Sequence, residues 1–133
     1  MNVKLQNKIP EIYCAISLLF EEDADTASIT AALSKIGIHD FKISIPKCDP
    51  IVCIDIAVIK YEPFWYLDEA LTKMFNQVES CISDLKRIIE EFHGRVCIDV
   101  AFCQFGTYPS LEFSGENMKR IHYLEADISI DPY

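Results

Sequence analysis

The sequence has little glycine and no long apolar run. It has four glycines among 133 residues and neither a G-x-G-x-x-G nor a G-x-x-x-x-G-K pattern. Because phosphate-cradling loops need glycines where the backbone approaches the phosphate, Rossmann and P-loop nucleotide sites are excluded. The longest apolar stretch, Ile12 to Phe20, contains Ser17 and is too short to cross a bilayer as a helix. We therefore expect no membrane span.

Positive charge is also scarce. The chain has 12 basic and 21 acidic residues, and its net charge is −9. This charge repels phosphate backbones and anionic lipid surfaces, so we expect neither nucleic acid nor membrane partners. It favours a protein partner with a basic surface or a small cation. The segment Met1 to Pro10 has no apolar run of the kind found in secretory signals, which predicts a cytoplasmic protein.

Six cysteines are present, but no C-x-x-C pair. Cys48 and Cys53 are separated by four residues, Asp49 and Pro50 among them, and His93 and Cys97 span a helix end, so neither spacing is typical of zinc sites. Half of the residues are hydrophobic, which is enough for a core without disulfides. We predict reduced thiols, no metal, no cofactor and one globular domain over residues 1–133.

No catalytic set is recognisable. The three histidines, His39, His93 and His122, lie near helix ends or on a helix, where solvent exposure is the ordinary interpretation. No nucleophile can be matched to a base and an oxyanion donor. The sequence therefore predicts no catalytic residues and a protein that is not an enzyme.

Alternating and apolar segments predict six strands, which are Glu11–Phe20, Phe41–Ile45, Ile51–Lys60, Val96–Phe105, Leu111–Phe113 and Asp127–Tyr133. The segment Pro46 to Pro50 is expected to turn the chain between the second and third strands. An apolar stripe at Ile29, Ala32, Leu33 and Ile36 predicts a first helix, capped by Asp25 or Thr26 and ended by Gly37.

A longer stripe with helical spacing runs from Leu67 to Phe92. We expect a break near Val78 to Ser80, with Ser80 capping the second segment and Gly94 ending it. Ser114 is predicted to cap a last helix that carries Met118, Ile121 and Leu124.

This order of elements predicts an α+β fold of the ferredoxin-like, split βαβ type. Its antiparallel or mixed sheet would have helices packed on one face, with an appended C-terminal helix and strand. The other face would then be partly solvated. The strands Glu11–Phe20 and Asp127–Tyr133 are the expected edges. A short echo, V-C-I-D-I-A from Val52 and V-C-I-D-V-A from Val96, fits an internal duplication or chance similarity of two buried strands.

Candidate binding residues are mostly acidic. The aspartates of the echoed strands and of the last strand form one candidate surface, and the acidic turn after the first strand forms another; these residues are Asp55, Asp99, Asp127, Asp131, Glu21, Glu22, Asp23 and Asp25. Trp65 lies in a cluster with Tyr61, Phe64 and Tyr66. We expect this cluster to anchor the core, with an interface patch as the alternative.

Three segments carry a resemblance to a known family. They are Ser28–Leu33, Trp65 with Leu67–Leu71, and the ending from Leu111–Ser114 to Asp127–Tyr133. Together they resemble the bacterial domain-of-unknown-function family numbered 4279, across nearly the whole chain. The resemblance implies a small bacterial cytosolic protein and supplies no catalytic residue.

These observations favour a protein-binding module. Its sharpest form is an immunity or inhibitor protein, a monomer or homodimer, that covers a basic toxin domain with an acidic surface. The alternative is a small-molecule-binding or regulatory domain with a pocket lined by Trp65, Phe102 and the cysteines.

Overall fold

A five-stranded mixed sheet forms the base of the molecule. The computed structural model describes residues 9–46, 50–103 and 107–132. The strands are β1 (Glu11–Glu21), β2 (Lys42–Ser44), β3 (Ile51–Pro63), β4 (Arg95–Cys103) and β5 (Asp127–Pro132). Four α-helices are described with them, α1 (Thr26–Lys35), α2 (Leu67–Asn76), α3 (Ile82–Glu91) and α4 (Gly115–Tyr123).

The strand order is β2-β3-β1-β4-β5. β1 is antiparallel to both neighbours, β2 is antiparallel to β3, and β5 is parallel to β4. The order and directions are those of a split βαβ unit with an appended helix and strand, which confirms the predicted α+β class.

β1 is the central strand of this sheet, so its prediction as an edge was wrong. Nearly all of its residues from Ile12 to Phe20 are buried, on both faces. A strand with apolar residues at successive positions is typical of the interior of a sheet, where neighbouring strands pair along both of its edges. β5 does lie at one end of the described sheet, as expected.

The helices cover one face of the sheet. One apolar core joins alternate residues of β1, β3 and β4 to the inward stripes of all four helices. α1 begins at the N-cap Asp25 and ends before Gly37, whose φ of 96° is left-handed, as predicted. No helix in the described part of the chain is long and apolar enough to cross a membrane.

The predicted break in the long helical stripe is present, but its details differ. A 3₁₀ turn at Glu79–Cys81 separates α2 from α3, and Ser80 lies inside that turn rather than capping α3. At the far end, His93 takes the left-handed conformation with φ of 56°. The Gly94 N–H donates to the Ile89 carbonyl at 2.8 Å, which completes a Schellman-type ending.

Gly94 is required for close packing instead. A Cβ atom at this position would lie 2.4 Å from Cε1 of the buried Phe20 ring. The glycine does lie at the end of the helix, as predicted. It is needed there for the close approach to Phe20, because the left-handed residue of the helix ending is His93.

One predicted strand in the C-terminal third was wrong. Residues 111–113 form no strand; the nearby Ser110 makes a single bridge to Tyr66 instead. α4 begins at the predicted cap Ser114, and Ile121 and Leu124 pack into the core, but Met118 is 59% exposed and the neighbouring Asn117 is buried. Of the remaining predictions, the ends of Val96–Phe105 and Asp127–Tyr133 and most of the turn Pro46 to Pro50 lie outside the described residues.

Candidate functional site

The face of the sheet opposite the helices is open and carries the predicted acidic residues. Side chains alternate between the two faces of a strand, and the register places Asp55 opposite Ser17 and Cys97 opposite both Ser17 and Asp127. A register shift in the β1–β3 pairing follows Ile16. It brings Asp55 rather than Ile56 opposite Ser17, because one extra residue changes which side chains share a face.

Ser17 is the centre of this open face. Its side chain is only 1% exposed, and its Oγ lies 2.6 Å from Asp55 Oδ1 and 2.8 Å from Asp99 Oδ2. A serine hydroxyl has one hydrogen, so it donates to one carboxylate at a time. The second contact is a hydrogen bond only when the other carboxyl group carries a proton.

Two thiols flank this chain of hydrogen bonds. Cys53 Sγ lies 3.6 Å from Asp55 Oδ1, and Cys97 Sγ lies 3.5 Å from Asp99 Oδ1. The echoed C-x-D motifs therefore sit on either side of β1, related by the central serine. Each C-x-D motif places one thiol and one carboxylate on the open face, and the two carboxylates both contact Ser17.

The electrostatics of the open face keep the flanking thiols protonated. Burial, and then the charge of Asp99, raises the pKa of the Cys97 thiol to about 11. Burial and then Asp55 raise the pKa of Cys53. Burial followed by Asp55 and Asp99 also raises the pKa of Tyr13 on the same face. A thiol with a raised pKa is the opposite of an activated nucleophile.

Asp127 and Asp131 extend the acidic face to the sheet edge. They are exposed on β5, opposite Cys97 and Ala101, so that Asp99 lies between them on the neighbouring strand. Within the described residues, no ion pair involves either of them or the aspartates beside Ser17. Lys42 and Arg95 also belong to this face by register. We call Asp55, Asp99, Asp127 and Asp131 the acidic face.

A family model for a domain of unknown function, DUF4279, matches residues 59–133. The chain belongs to this family. No curated protein and no solved structure matches the chain.

The DUF4279 match runs from the end of β3 to the end of the chain. It includes Trp65 and the C-terminal segments that carried the resemblance, whereas Ser28–Leu33 lies outside it. Three members of the acidic face, Asp99, Asp127 and Asp131, lie within the DUF4279 region, and Asp55 precedes it.

The second acidic candidate, the turn after β1, lies outside the sheet face. Glu21, Glu22 and Asp23 are exposed there. Asp25 is the N-cap of α1, and its carboxylate accepts from the Ser28 N–H at 3.1 Å and the Ser28 Oγ at 2.7 Å. These hydrogen bonds lower the pKa of Asp25. The turn residue therefore has a structural role in capping a helix.

Trp65 is not a core anchor, contrary to the favoured prediction. Its side chain is 44% exposed between β3 and α2. Its backbone carbonyl accepts from the Ser110 N–H at 2.7 Å. The residues expected to line a pocket are divided between the two faces of the sheet. Phe102, Cys14 and Cys81 belong to the core on the helix-covered face, whereas Cys53 and Cys97 are on the open face.

Sequence reasoning missed the buried polar residues. Ser17 interrupts an apolar run, and a serine flanked by apolar residues in a central strand is the signal that could have identified it. Asn117, also fully buried, donates to Asp68 Oδ1 at 2.8 Å and to Thr72 Oγ1 at 2.9 Å. Its Oδ1 accepts from Arg120 at 2.8 Å. These hydrogen bonds connect α4 to α2.

Proposed function

We propose that this DUF4279 protein is an acidic protein-binding module that binds a basic partner on the open face of its sheet. The observation that carries the proposal is the acidic face itself, with four carboxylates of three strands on a surface that no described helix covers. The proposal includes no catalytic step.

Charge complementarity supports the basic character of the partner. The net charge of −9 favours encounter with positively charged proteins, and clustered carboxylates focus that attraction on one surface. Exposed Asp127 and Asp131 are free to meet cationic side chains without breaking a described ion pair. Such a surface suits fast association more than deep apolar docking.

The sharpest form of the proposal is an immunity or inhibitor protein that works in the cytoplasm and neutralises a basic toxin domain. An inhibitor of this kind acts by covering its target, so it needs a complementary surface and no chemistry of its own. The five described cysteines are free thiols, which suits a reducing compartment.

A cleft supports a second candidate, a small-molecule-binding or regulatory domain. β2 is three residues long and leaves the outer edge of β3 beyond Asp55 unpaired by any described strand. A cleft of about 520 Å³ lies there, bordered by Tyr13, Phe41, Asp55 and Lys60 among others. Its size is in the range of ligand sites. A metabolite panel in a thermal-shift assay tests it, since a ligand at a hundred times its Kd stabilises by about 2.7 kcal/mol.

The protein-binding proposal is tested by comparing two charge-reversal variants in a pull-down. Tagged wild-type chain, Asp127→Lys with Asp131→Lys, and Glu22→Lys with Asp23→Lys are each exposed to native lysate at low and high salt. Both variants raise the net charge by the same amount, and all four positions are exposed. The second variant therefore controls for net charge alone.

We expect one stoichiometric basic partner on the wild type and on the turn variant, released by high salt. We expect the β5 variant to lose it. Loss on the turn variant alone would assign binding to the acidic turn instead. An empty wild-type bait would contradict the protein-binding proposal and favour the small-molecule alternative.

A further inference from the structure

The outer edge of β5 is unpaired within the described chain. β5 pairs with β4 and ends the strand order, so half of its backbone N–H and C=O groups point away from the sheet. An open edge of this kind is a template for another strand.

The two faces of β5 differ in chemistry. On the open face, Asp127, Ser129 and Asp131 are exposed in strict alternation. On the helix side, Ile128 and Ile130 are partly buried against the core. A strand paired to this edge would meet acidic and apolar neighbours at alternate positions, because its own side chains alternate in the same way.

An apolar cleft adjoins the helix side of this edge. It has a volume of about 360 Å³ and is bordered by Phe113, Met118, Ile121 and Ile128 among others. Met118 is 59% exposed, although an apolar side chain on a helix is ordinarily directed inward. The cleft offers apolar contacts to the alternate side chains of an added strand.

A second copy of the chain is a poor occupant of the edge. An antiparallel pair centred on Ser129 would place Asp127 of one copy opposite Asp131 of the other, twice. Like charges directly opposite each other destabilise strand pairs, and charged edges prevent self-association in this way. The same charges favour a strand that carries lysine or arginine.

We propose that the β5 edge binds an extended segment of the basic partner by strand addition, a segment in which basic and apolar residues alternate. The proposal rests on the protein-binding function above and specifies how the partner is recognised. Basic residues of the added strand face Asp127 and Asp131, and apolar residues face Ile128, Ile130 and the Met118 cleft.

A synthetic peptide, acetyl-Gly-Lys-Val-Thr-Val-Lys-Gly-amide, is the probe. Its lysines match the four-residue spacing of Asp127 and Asp131 in either strand direction. The control is the scrambled acetyl-Gly-Val-Val-Thr-Lys-Lys-Gly-amide, which has the same charge. Two N-methylated forms are compared. One carries methyl groups on the backbone nitrogens of the two valines, and the other on the backbone nitrogens of the threonine and the second lysine. These two pairs of nitrogens point to opposite edges of a strand. Binding is measured by NMR titration of the labelled protein.

We expect the patterned peptide to bind at least about fivefold more tightly than the scrambled one and to shift the amides of 127–131. One N-methylated form should lose about tenfold in affinity and the other less than about threefold, because only one edge of the peptide faces β5. Met118→Ser should weaken binding severalfold, while Leu111→Ser, an exposed apolar residue outside the cleft, should not.

Equal binding of the patterned and scrambled peptides, or equal effects of the two methylations, would overturn strand addition. If Asp127→Lys with Asp131→Lys still abolished peptide binding in that case, the acidic face would remain the docking surface and the proposed function would stand. Absence of any peptide binding, or a salt-resistant dimer of the chain built on β5, would also overturn the inference.

Discussion

Replacing Asp99 by asparagine is expected to stabilise the fold at neutral pH. Ser17 has a single hydroxyl hydrogen for two carboxylates. Because its Oγ lies 2.6 Å from Asp55 Oδ1 and 2.8 Å from Asp99 Oδ2, these two carboxylate oxygens are no more than about 5.4 Å apart. While both carboxylates are ionised, the arrangement lacks one donor and holds two like charges together. An asparagine supplies the donor and removes one charge.

The geometry suits asparagine at this position. Asp99 contacts Ser17 through Oδ2 and accepts from Cys97 through Oδ1. In asparagine, the Nδ2 group would take the place of the acceptor Oδ2 and donate to Ser17 Oγ, while Oδ1 still accepts. Asp55 uses the same Oδ1 atom for both Ser17 and Cys53. It is therefore the natural acceptor of the pair, and Asp55→Asn should stabilise less.

The magnitude follows from the charge separation. Two unit charges about 5.4 Å apart repel by about 0.8 kcal/mol in water and by about 3 kcal/mol at an effective dielectric constant of about 20. Both aspartates are partly exposed, so the repulsion lies between these limits. We expect Asp99→Asn to raise the free energy of unfolding by about 1–2 kcal/mol, and the Tm by about 4 °C per kcal/mol.

Urea unfolding at neutral pH tests this reasoning. Asp127→Asn, on the same face without a hydroxyl bridge, is the control and should change stability by less than about 0.5 kcal/mol. A loss of 1 kcal/mol or more for Asp99→Asn at neutral pH would refute the argument from donors and charges.

Three further predictions concern packing, a hydrogen-bond network and thiol reactivity. Gly94→Ala should destabilise by about 1–3 kcal/mol in urea unfolding, because its Cβ would meet the Phe20 ring; a less than additive loss with Phe20→Leu would support this cause, and a neutral effect would oppose it. Although burial raises the pKa of Asp68, hydrogen bonds from Ser114 and Asn117 more than offset this and lower it. Its stabilisation is present above the unfolded-state pKa and lost as the pH falls through the lowered folded value, so Asp68→Asn should cost about 1 kcal/mol at pH 7 in urea unfolding and less as the pH is lowered. Cys97, with a pKa of about 11, should alkylate at least roughly tenfold more slowly than free cysteine at pH 7, as measured by peptide mass mapping.

Periodicity in the sequence predicted most of the architecture. Alternating and apolar runs located β1, β3 and β4, and helical stripes located the core-facing residues of α1, α2 and α3. These elements were accessible because burial of one face imposes a period on the sequence. The alternation of Asp127, Ser129 and Asp131 also agrees with a partly solvated sheet face.

The remaining features depend on contacts between distant segments. In α4, Asn117 is buried against Asp68 and Thr72, and the neighbouring Met118 is exposed. Hydrogen-bond partners on another helix favour burial of the polar residue of this pair. The pairing of Ser17 with Asp55 depends on a shift in strand register, which no local pattern encodes. Composition therefore indicated an acidic surface, and only the fold identified its centre.

The most direct test of the acidic face is an NMR titration of the isotopically labelled chain with its purified basic partner. We predict amide shifts concentrated at Asp99 and residues 127–131 that weaken as salt is added. Shifts confined to the turn at 21–25, or to the segment around Trp65, would contradict the assignment of the open face as the binding surface.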